Sequence, residues 1–324
     1  MRAVRCHELT GPSSLRVDEV PSPTPGPNEV LIDVRAAGVN FPDVLMTYGK
    51  YQFKADPPFS PGGEAAGVVR AVGSAVTSVA PGDRVCATMM MGAYAEQIVA
   101  PDATVTKLPD AVSFEVGAAT LLTYATTLHA LVDRAALQQG ETLLVLGAAG
   151  GVGTAAVELG KLLGARVIAA ASTDEKVAFC KERGAAEGIN YGREDLKERA
   201  KALTGGNGAN VIYDPVGGPY ADAALRSIAW EGRYLVVGFA AGDIPKIPLN
   251  LVLLKGCQIV GVFWGSFVMR EPAKNQANAR QILAWVAEGK LAPHVDGVVK
   301  FADARTALER MERRDVKGKL VLVP

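Results

Sequence analysis

The chain has 324 residues, with 34 Lys and Arg balanced by 34 Asp and Glu, and a formal net charge of zero. That length accommodates two domains with sizeable cores, while neutral, dispersed charge supplies no field for a nucleic acid or a membrane surface. Cys6, Cys86, Cys180 and Cys257 stand far apart, with no Cys-x-x-Cys pair and only His7 beside one of them; this excludes a sequence-local zinc knuckle and argues against a disulfide framework.

Residues 1–8 contain no apolar signal-peptide core, so the chain is expected in the cytoplasm. The first third has β character. Short apolar runs at 30–36 and 66–72 alternate with Gly and Pro turns, and residues 21–27 form a Pro-rich connector. This pattern predicts a compact, barrel-like, mainly antiparallel domain. From about 123 to 262 strand and helix patterns alternate. Strands are predicted at 142–146, 165–171, 187–191, 210–215, 232–238 and 257–263, with helices at 154–163, 195–203 and 220–230. Six strands with crossovers make an α/β, doubly wound parallel sheet. The apolar segment 251–269 is interrupted by Lys255, Gly256, Gln258, Gly261 and Gly265, and reads as a short helix followed by a strand, not a membrane span. The tail carries a helix pattern near 276–288, a mixed-charge solvated stretch at 309–315, and a closing strand at 319–323 that should return to the first domain. The domain limits are therefore 1–122 with 263–324, and 123–262. The histidines His7, His129 and His294 are scattered and read as structural or surface residues.

One stretch carries most of the functional information. The apolar run at 142–146 breaks into Gly147-Ala-Ala-Gly-Gly-Val-Gly153, and an Ala-rich helical segment follows. This is the strand–turn–helix context of a dinucleotide fingerprint, with Ala148 in place of its first glycine. Gly150 lets backbone approach a pyrophosphate, Gly153 lets helix and strand pack closely, and the helix N-terminus offers free N–H groups to phosphate. The next strand ends at Ala170, Ala171 and Ser172 with no carboxylate at its tip, although Asp174 and Glu175 follow. A missing acid, with Ser172 as a donor and Lys176 as a cation, suits a 2′-phosphate better than a bare 2′-hydroxyl. The expected cofactor is NADPH rather than NADH.

In this order and spacing, Gly38-Val-Asn-Phe-Pro-Asp43, Pro61-Gly-Gly-Glu-Ala-Ala-Gly67, Pro81-Gly-Asp-Arg-Val85, Ala148-Ala-Gly-Gly-Val-Gly153 and Asn190-Tyr191 resemble the zinc-free, zeta-crystallin-like quinone oxidoreductases of the medium-chain dehydrogenase/reductase superfamily. The resemblance covers essentially the whole chain. It implies a Rossmann domain for NADPH and a GroES-like catalytic domain. It also implies departures from the zinc alcohol dehydrogenases of that superfamily. Asn40 stands where those have a catalytic Cys, Gly63-Glu64 where they have His-Glu, and Leu122 where they have the third ligand; the structural-zinc lobe is cut to residues 86–94. No metal is then expected. Without a Lewis acid to stabilise an alkoxide, the implied reaction is hydride delivery to an acceptor already electron-poor, a quinone or an α,β-unsaturated carbonyl.

Carried onto this sequence, the resemblance gives Thr126 the nicotinamide carboxamide and Ala149, Gly150, Gly151, Val152 and Gly153 the pyrophosphate. Ser172, Lys176, Tyr191 and Arg314 would surround the 2′-phosphate. Gly238, Phe239 and Ala240 follow a strand end where a cofactor should cross the carboxyl edge, and Val262, Phe263 and Trp264 are expected to end the last strand and wall the nicotinamide. Asn40 and Tyr51 resemble cleft positions that offer donors to a substrate oxygen gaining negative charge, and Tyr51 could relay a proton through water. Asp43 either orients the site or caps a turn, and Met89 to Met91 either line a pocket or fill core. The family often has a second Tyr near Leu45, where this chain is aliphatic. A reductase of acryloyl- or enoyl-thioesters and a non-catalytic, crystallin-like NADPH binder are the alternatives to a quinone or enone reductase. The resemblance also implies a homodimer, paired through the apolar strand Gln258 to Phe263 at the outer edge of the nucleotide-binding sheet.

Overall fold

The computed structural model describes residues 1–324. Its elements begin with β1 (Arg2–Cys6), β2 (Leu15–Glu19), β3 (Glu29–Val39), α1 (Phe41–Thr47), β4 (Glu64–Val72), β5 (Arg84–Thr88), β6 (Gln97–Pro101), β7 (Val105–Lys107), α2 (Phe114–Ala118) and α3 (Leu121–Leu128). The α/β stretch follows as β8 (Thr142–Leu146), α4 (Gly151–Leu162), β9 (Arg166–Ala171), α5 (Asp174–Glu182), β10 (Glu187–Asn190), α6 (Leu196–Leu203), β11 (Ala209–Asp214), α7 (Tyr220–Arg226), β12 (Ile228–Val236), α8 (Leu249–Lys255) and β13 (Gln258–Gly261). The chain closes with α9 (Trp264–Arg270), α10 (Pro272–Ala287), β14 (Val295–Lys300), α11 (Ala304–Glu312) and β15 (Lys319–Val323). No helix is long and apolar enough to cross a membrane.

The chain divides into two units, Met1–Ala125 with Phe267–Pro324, and Thr126–Ser266. Both divisions fall inside helices, α3 and α9, a few residues past the limits 122 and 262 read from sequence. Each connection is helical rather than a loop, so composition gives no break there.

In the first unit β3 organises the sheet. β4 takes one of its edges, while β6 (against Glu29 to Asp33) and β15 (against Ala37 to Val39) share the other. The full order is β14-β15-β3-β4-β5-β7 with β6 on β3, antiparallel except for β14 with β15; β1 and β2 form a separate ribbon. Register shifts in β3 at Leu31/Ile32 and Val34/Ala36 are the bulges that bend a strand around a core. That core includes Val30, Ile32, Val34, Val39, Val69, Val85, Tyr94, Leu308 and Leu320. The motif Pro81 to Val85 is structural: Asp83 accepts the Ala80 N–H at 2.9 Å and pairs with Lys107 at 2.8 Å. The Arg84 guanidinium donates to the carbonyls of Pro109, Asp110 and Val112 at 2.6–3.1 Å.

The second unit is a six-stranded parallel sheet in the order β10-β9-β8-β11-β12-β13. Leu143, Leu144, Val145 and Leu146 are at most 1% exposed, the continuous apolar run of a strand covered on both faces. Strand order reverses between β8 and β11, which opens a crevice outside the carboxyl ends of those strands. Three readings are corrected. The first helix starts at Gly151, not 154: Gly151 and Gly153, read as part of the turn, lie in the helix's first turn, while Gly147 and Gly150 stay in the turn before it. The helix predicted at 220–230 stops at Arg226, because Ile228 pairs with Ala209 and the chain from there runs as β12; Trp230 is strand, 69% exposed. The last strand ends at Gly261 rather than Phe263. Val262 still donates to Val236 O at 3.0 Å, but Trp264 begins α9, so Phe263 and Trp264 leave the sheet. β13 does form the sheet's outer edge.

Candidate active site

β8 gives way to Gly147, whose φ of +57° only glycine adopts without strain, and then to the amino end of α4. Gly150 is its N-cap, and no side chain caps it. The N–H groups of Gly151, Val152 and Gly153 therefore lie in a first turn without side-chain partners, at the positive end of a 12-residue helix. An added Cβ at Gly150 would meet only Gly147 O, at 3.4 Å, so the space before the helix is open; at Gly153 it would meet that oxygen at 2.2 Å. Ala148 and Ala149 are buried beside this turn. An anion fits here, as the pyrophosphate of a dinucleotide would. Thr127 Oγ1 donates to Val152 O at 3.3 Å and shares a 2.9 Å bond with the Tyr213 hydroxyl, which holds the turn of α3 carrying Thr126 against the start of α4.

At the next strand end Ser172 follows Ala171, exposed, and Thr173 caps α5 by accepting the Lys176 N–H at 3.2 Å. β10 pairs Asn190 with Ala171, and Tyr191 N–H donates to Ala171 O at 3.0 Å. Gly192 comes so close that a Cβ would lie 2.6 Å from Ser172 O. Ser172, Lys176 and Tyr191 thus share one corner of the sheet, where the Tyr191 ring lies 4.5 Å from that of Tyr220. Asp174 is engaged: its Oδ1 accepts from Asn190 Nδ2 and pairs with Arg193, both at 2.9 Å. Arg193 is a cation of this corner that sequence reading passed over. Arg314 belongs to the other unit, in a left-handed turn after α11 (φ +59°).

The loops after β11 and β12 are laced together. Ala240 N–H donates to Pro215 O at 3.0 Å and Ala241 N–H to Val216 O at 2.8 Å, which fixes Gly238, Phe239 and Ala240 over the strand ends. Buried Asp214 anchors the lacing by accepting the N–H groups of Val216 at 2.7 Å and Gly217 at 2.8 Å and the Tyr234 hydroxyl. Burial raises its carboxyl despite these donors. Val262 is buried, whereas Phe263 is 63% exposed.

In the first unit the motifs at 38–43 and 61–67 meet in one buried polar cluster. Asn40, at the head of α1, is 5% exposed and Glu64, opening β4, 1%. Glu64 Oε1 accepts from Asn40 Nδ2 at 3.0 Å and from Lys319 Nζ at 2.8 Å; Oε2 accepts the Leu122 N–H at 2.9 Å. Gly38 leaves room for this carboxylate, since a Cβ there would lie 2.6 Å from Glu64 Oε1 and 2.2 Å from Ala118 O. Asp43 Oδ2 accepts both the Asn40 N–H at 2.8 Å and the Tyr94 hydroxyl at 2.7 Å. Asp43 thus caps the head of α1, the turn role considered for it, and also ties Tyr94 to that turn. Tyr51 is half-buried against Cys6, Met46 and Phe59 with Met91, and burial, helped by the charge of Asp43, raises its phenol. Met89 packs on the barrel core and Met90 is 44% exposed.

Burial pushes the Asp43 carboxyl up to about 6, against the pull of the Tyr94 and Asn40 donors and of Lys319; the charge of Glu64 adds to the rise. The folded chain therefore holds this proton more tightly than the unfolded one, and the stability it contributes is lost as pH rises from about 4 through about 6. Lowering pH from about 7 to about 5 should strengthen the parent by about 1 kcal/mol relative to Asp43→Asn, opposite in sign to ordinary acid denaturation. Denaturant titrations of both proteins at the two pH values check this; equal pH dependence would refute it.

No group of three or more His, Cys, Asp or Glu side chains is placed to hold a metal ion. Asn40 Oδ1 accepts from Lys319 Nζ, and Gly63 has no side chain to offer. All four cysteines are buried and unpaired.

Residues 26–110 match the alcohol dehydrogenase GroES-like domain family and residues 151–287 the zinc-binding dehydrogenase family. The chain is 39% identical to quinone oxidoreductase-like protein 2 of Rattus norvegicus over 322 residues, covering 99% of this chain and 91% of that protein. It is 35% identical to the quinone oxidoreductase of Homo sapiens, covering 100% and 98% of the two chains. The crystal structure of Escherichia coli quinone oxidoreductase complexed with NADPH superposes with a TM-score of 0.94 at 29% identity, over 100% of both chains. Whole-length similarity, the strand order of the parallel sheet and the glycine-rich start of α4 together show that this chain belongs to the quinone oxidoreductase family of the medium-chain dehydrogenase/reductase superfamily.

Proposed function

We propose that this protein is an NADPH-dependent oxidoreductase that reduces quinones or small α,β-unsaturated carbonyl compounds without zinc. The observation that carries the reading is the corner at the end of β9, where Ser172, Lys176 and Tyr191 gather and Asp174 is paired with Asn190 and Arg193. NADPH, when bound, supplies the hydride. Gly151, Val152 and Gly153 with Ala149 and Gly150 hold its pyrophosphate, and Ser172, Lys176, Tyr191 and Arg314 hold the 2′-phosphate. Thr126 orients the carboxamide, while Gly238, Phe239, Ala240, Val262, Phe263 and Trp264 flank the nicotinamide. Asn40 faces the substrate oxygen and Tyr51 relays the proton it takes up. With Asn40, Gly63 and Leu122 at the ligand positions of the zinc enzymes, the acceptor itself must be electron-poor.

A screen of NADPH oxidation against quinones, simple enones and acyl-CoA enones tests the proposal. Turnover confined to acyl-CoA enones would move the activity to thioester reduction, and turnover with none would leave a nucleotide-binding protein. Full activity after exhaustive chelation is expected.

Cofactor choice gives a sharper test. NADPH should bind about tenfold or more tighter than NADH, since one charge-assisted contact contributes roughly 1.5–3 kcal/mol. Lys176→Ala should close most of that gap and leave NADH affinity nearly unchanged. Calorimetric titration of both nucleotides would refute the assignment if the parent binds them equally.

The protein is proposed to work in the cytoplasm as a homodimer. β13 is an exposed edge, with Ile259 39% exposed, and the adjoining α8 presents Leu249, Leu253 and Leu254 at 70% or more. Pairing of β13 with its copy would extend the sheet and cover these side chains. Light scattering at micromolar concentration should give twice the chain mass, and Ile259→Pro, which removes a ladder donor, should give monomer or insoluble protein. A parent that scatters as a monomer would overturn the assembly.

A further inference from the structure

β15 contributes a charge that neither amino-terminal motif contains. Its first residue, Lys319, is 3% exposed, and the register Leu320↔Val39 sets it beside Asn40. Nζ donates to Asn40 Oδ1 at 2.5 Å and to Glu64 Oε1 at 2.8 Å. A carboxamide can turn over about its last torsion with little change of shape, so its surroundings decide which side presents oxygen and which N–H. Here a cation holds one side and a carboxylate the other. One Asn40 N–H goes to Glu64 at 3.0 Å; the other has only Gly38 O, at 3.4 Å, beyond good hydrogen-bond range.

Fold stability does not explain the arrangement. Buried ion pairs are weak stabilisers compared with apolar residues of the same size, and Leu320, Val321 and Leu322 already seat β15, each at 0% exposure. Glu64 already has two neutral donors, Asn40 Nδ2 and Leu122 N–H.

We propose that Lys319 is a positioning residue for Asn40: by pinning Oδ1 it fixes the turn of the amide and polarises its second N–H toward a substrate oxygen that gains negative charge. Donation to an amide oxygen strengthens the N–H groups across the same amide. The orientation of Asn40 follows from this cluster alone. Its use on a substrate oxygen rests on the function proposed above.

The test compares Lys319→Met, Lys319→Arg, Asn40→Ala, the Asn40→Ala/Lys319→Met double variant and a charge-neutral pair, Lys319→Met/Glu64→Gln, which removes both members of the buried Lys319–Glu64 ion pair together should Lys319→Met alone fail to fold. With NADPH and a quinone, Asn40→Ala should lower kcat about a hundredfold, as losing an oxyanion donor does. Lys319→Met and the neutral pair should lower kcat about tenfold or more with NADPH affinity unchanged, and Lys319→Arg should recover part of the loss. On the Asn40→Ala background Lys319→Met should add nothing, because both changes act on one amide. Parent-like kcat in the folded neutral pair, or additive losses in the double variant, would overturn the proposal. A second readout is independent of turnover: the side-chain 15N–1H signals of Asn40, assigned by their loss in Asn40→Ala, should shift in Lys319→Met or the neutral pair. If the parent reduces no acceptor, the functional reading falls while these signals still decide; unchanged signals would refute the positioning role.

Discussion

Gly153→Ala is expected to abolish useful nucleotide binding. The added Cβ would stand 2.2 Å from Gly147 O and 2.7 Å from Ala148 Cα, both backbone atoms that no rotamer change can move aside. Either α4 shifts away from β8 or the turn before it deforms, and both displace the N–H groups proposed to hold the pyrophosphate. Overpacking of this kind costs roughly 1–3 kcal/mol of stability. Losing aim on two charge-assisted donors adds a fall in NADPH affinity of about a hundredfold or more. Gly150→Ala is the control: its Cβ would touch only Gly147 O at 3.4 Å, and φ is −79°. That variant should keep the parent's melting temperature and weaken NADPH only by crowding the space before the helix. Equal NADPH affinity in Gly153→Ala and parent, by calorimetry, would refute the placement of the phosphates.

Glu64→Ala should give the largest loss of stability in the barrel unit, about 3–5 kcal/mol, because it strands Lys319 without its carboxylate in the interior. It also strips the acceptor from Asn40 Nδ2 and the Leu122 N–H. Glu64→Gln keeps an acceptor for two of those donors and should lose distinctly less. Chemical denaturation of the three proteins at one protein concentration makes the comparison, since any dimerisation would otherwise shift the midpoints. A loss below about 1 kcal/mol in Glu64→Ala would mean that Lys319 finds water or another partner.

Much of the nucleotide-binding sheet could be read from the chain because its signals are local. An apolar run, a glycine cluster and an Ala-rich helix follow one another within 21 residues of β8 and α4, and β15 spans the stretch 319–323 read as a strand. Errors fell where two periodicities overlap. Ala224 and Leu225 suit a helix and Ile228 suits either state; only its pairing with Ala209 makes it strand. Val262 keeps the strand's last hydrogen bond, which made the apolar run through Phe263 look like one element. The Asn40–Glu64–Lys319 cluster was out of reach for a different reason. Lys319 is 279 residues from Asn40 and 255 from Glu64, and only the β3–β15 register brings them together. The available signal was a lone lysine opening the apolar strand Lys-Leu-Val-Leu-Val, a charge with no reason to be in a core unless a partner waits there.

The place of β15 also constrains the order of events during synthesis. It lies between β14 and β3, yet the whole unit Thr126–Ser266 separates it from β3 in the chain. The nucleotide-binding unit is complete once residue 266 has emerged and can fold on the ribosome. The barrel unit cannot. Until residue 323 has been translated, the stretch of β3 at Ala37 to Val39 lacks its partner and Asn40 and Glu64 lack their cation. Because domains fold as units while the chain grows, the second-made domain should mature first, and the half-built barrel with its open strand edge is the stage at which chaperone capture and misassembly should concentrate.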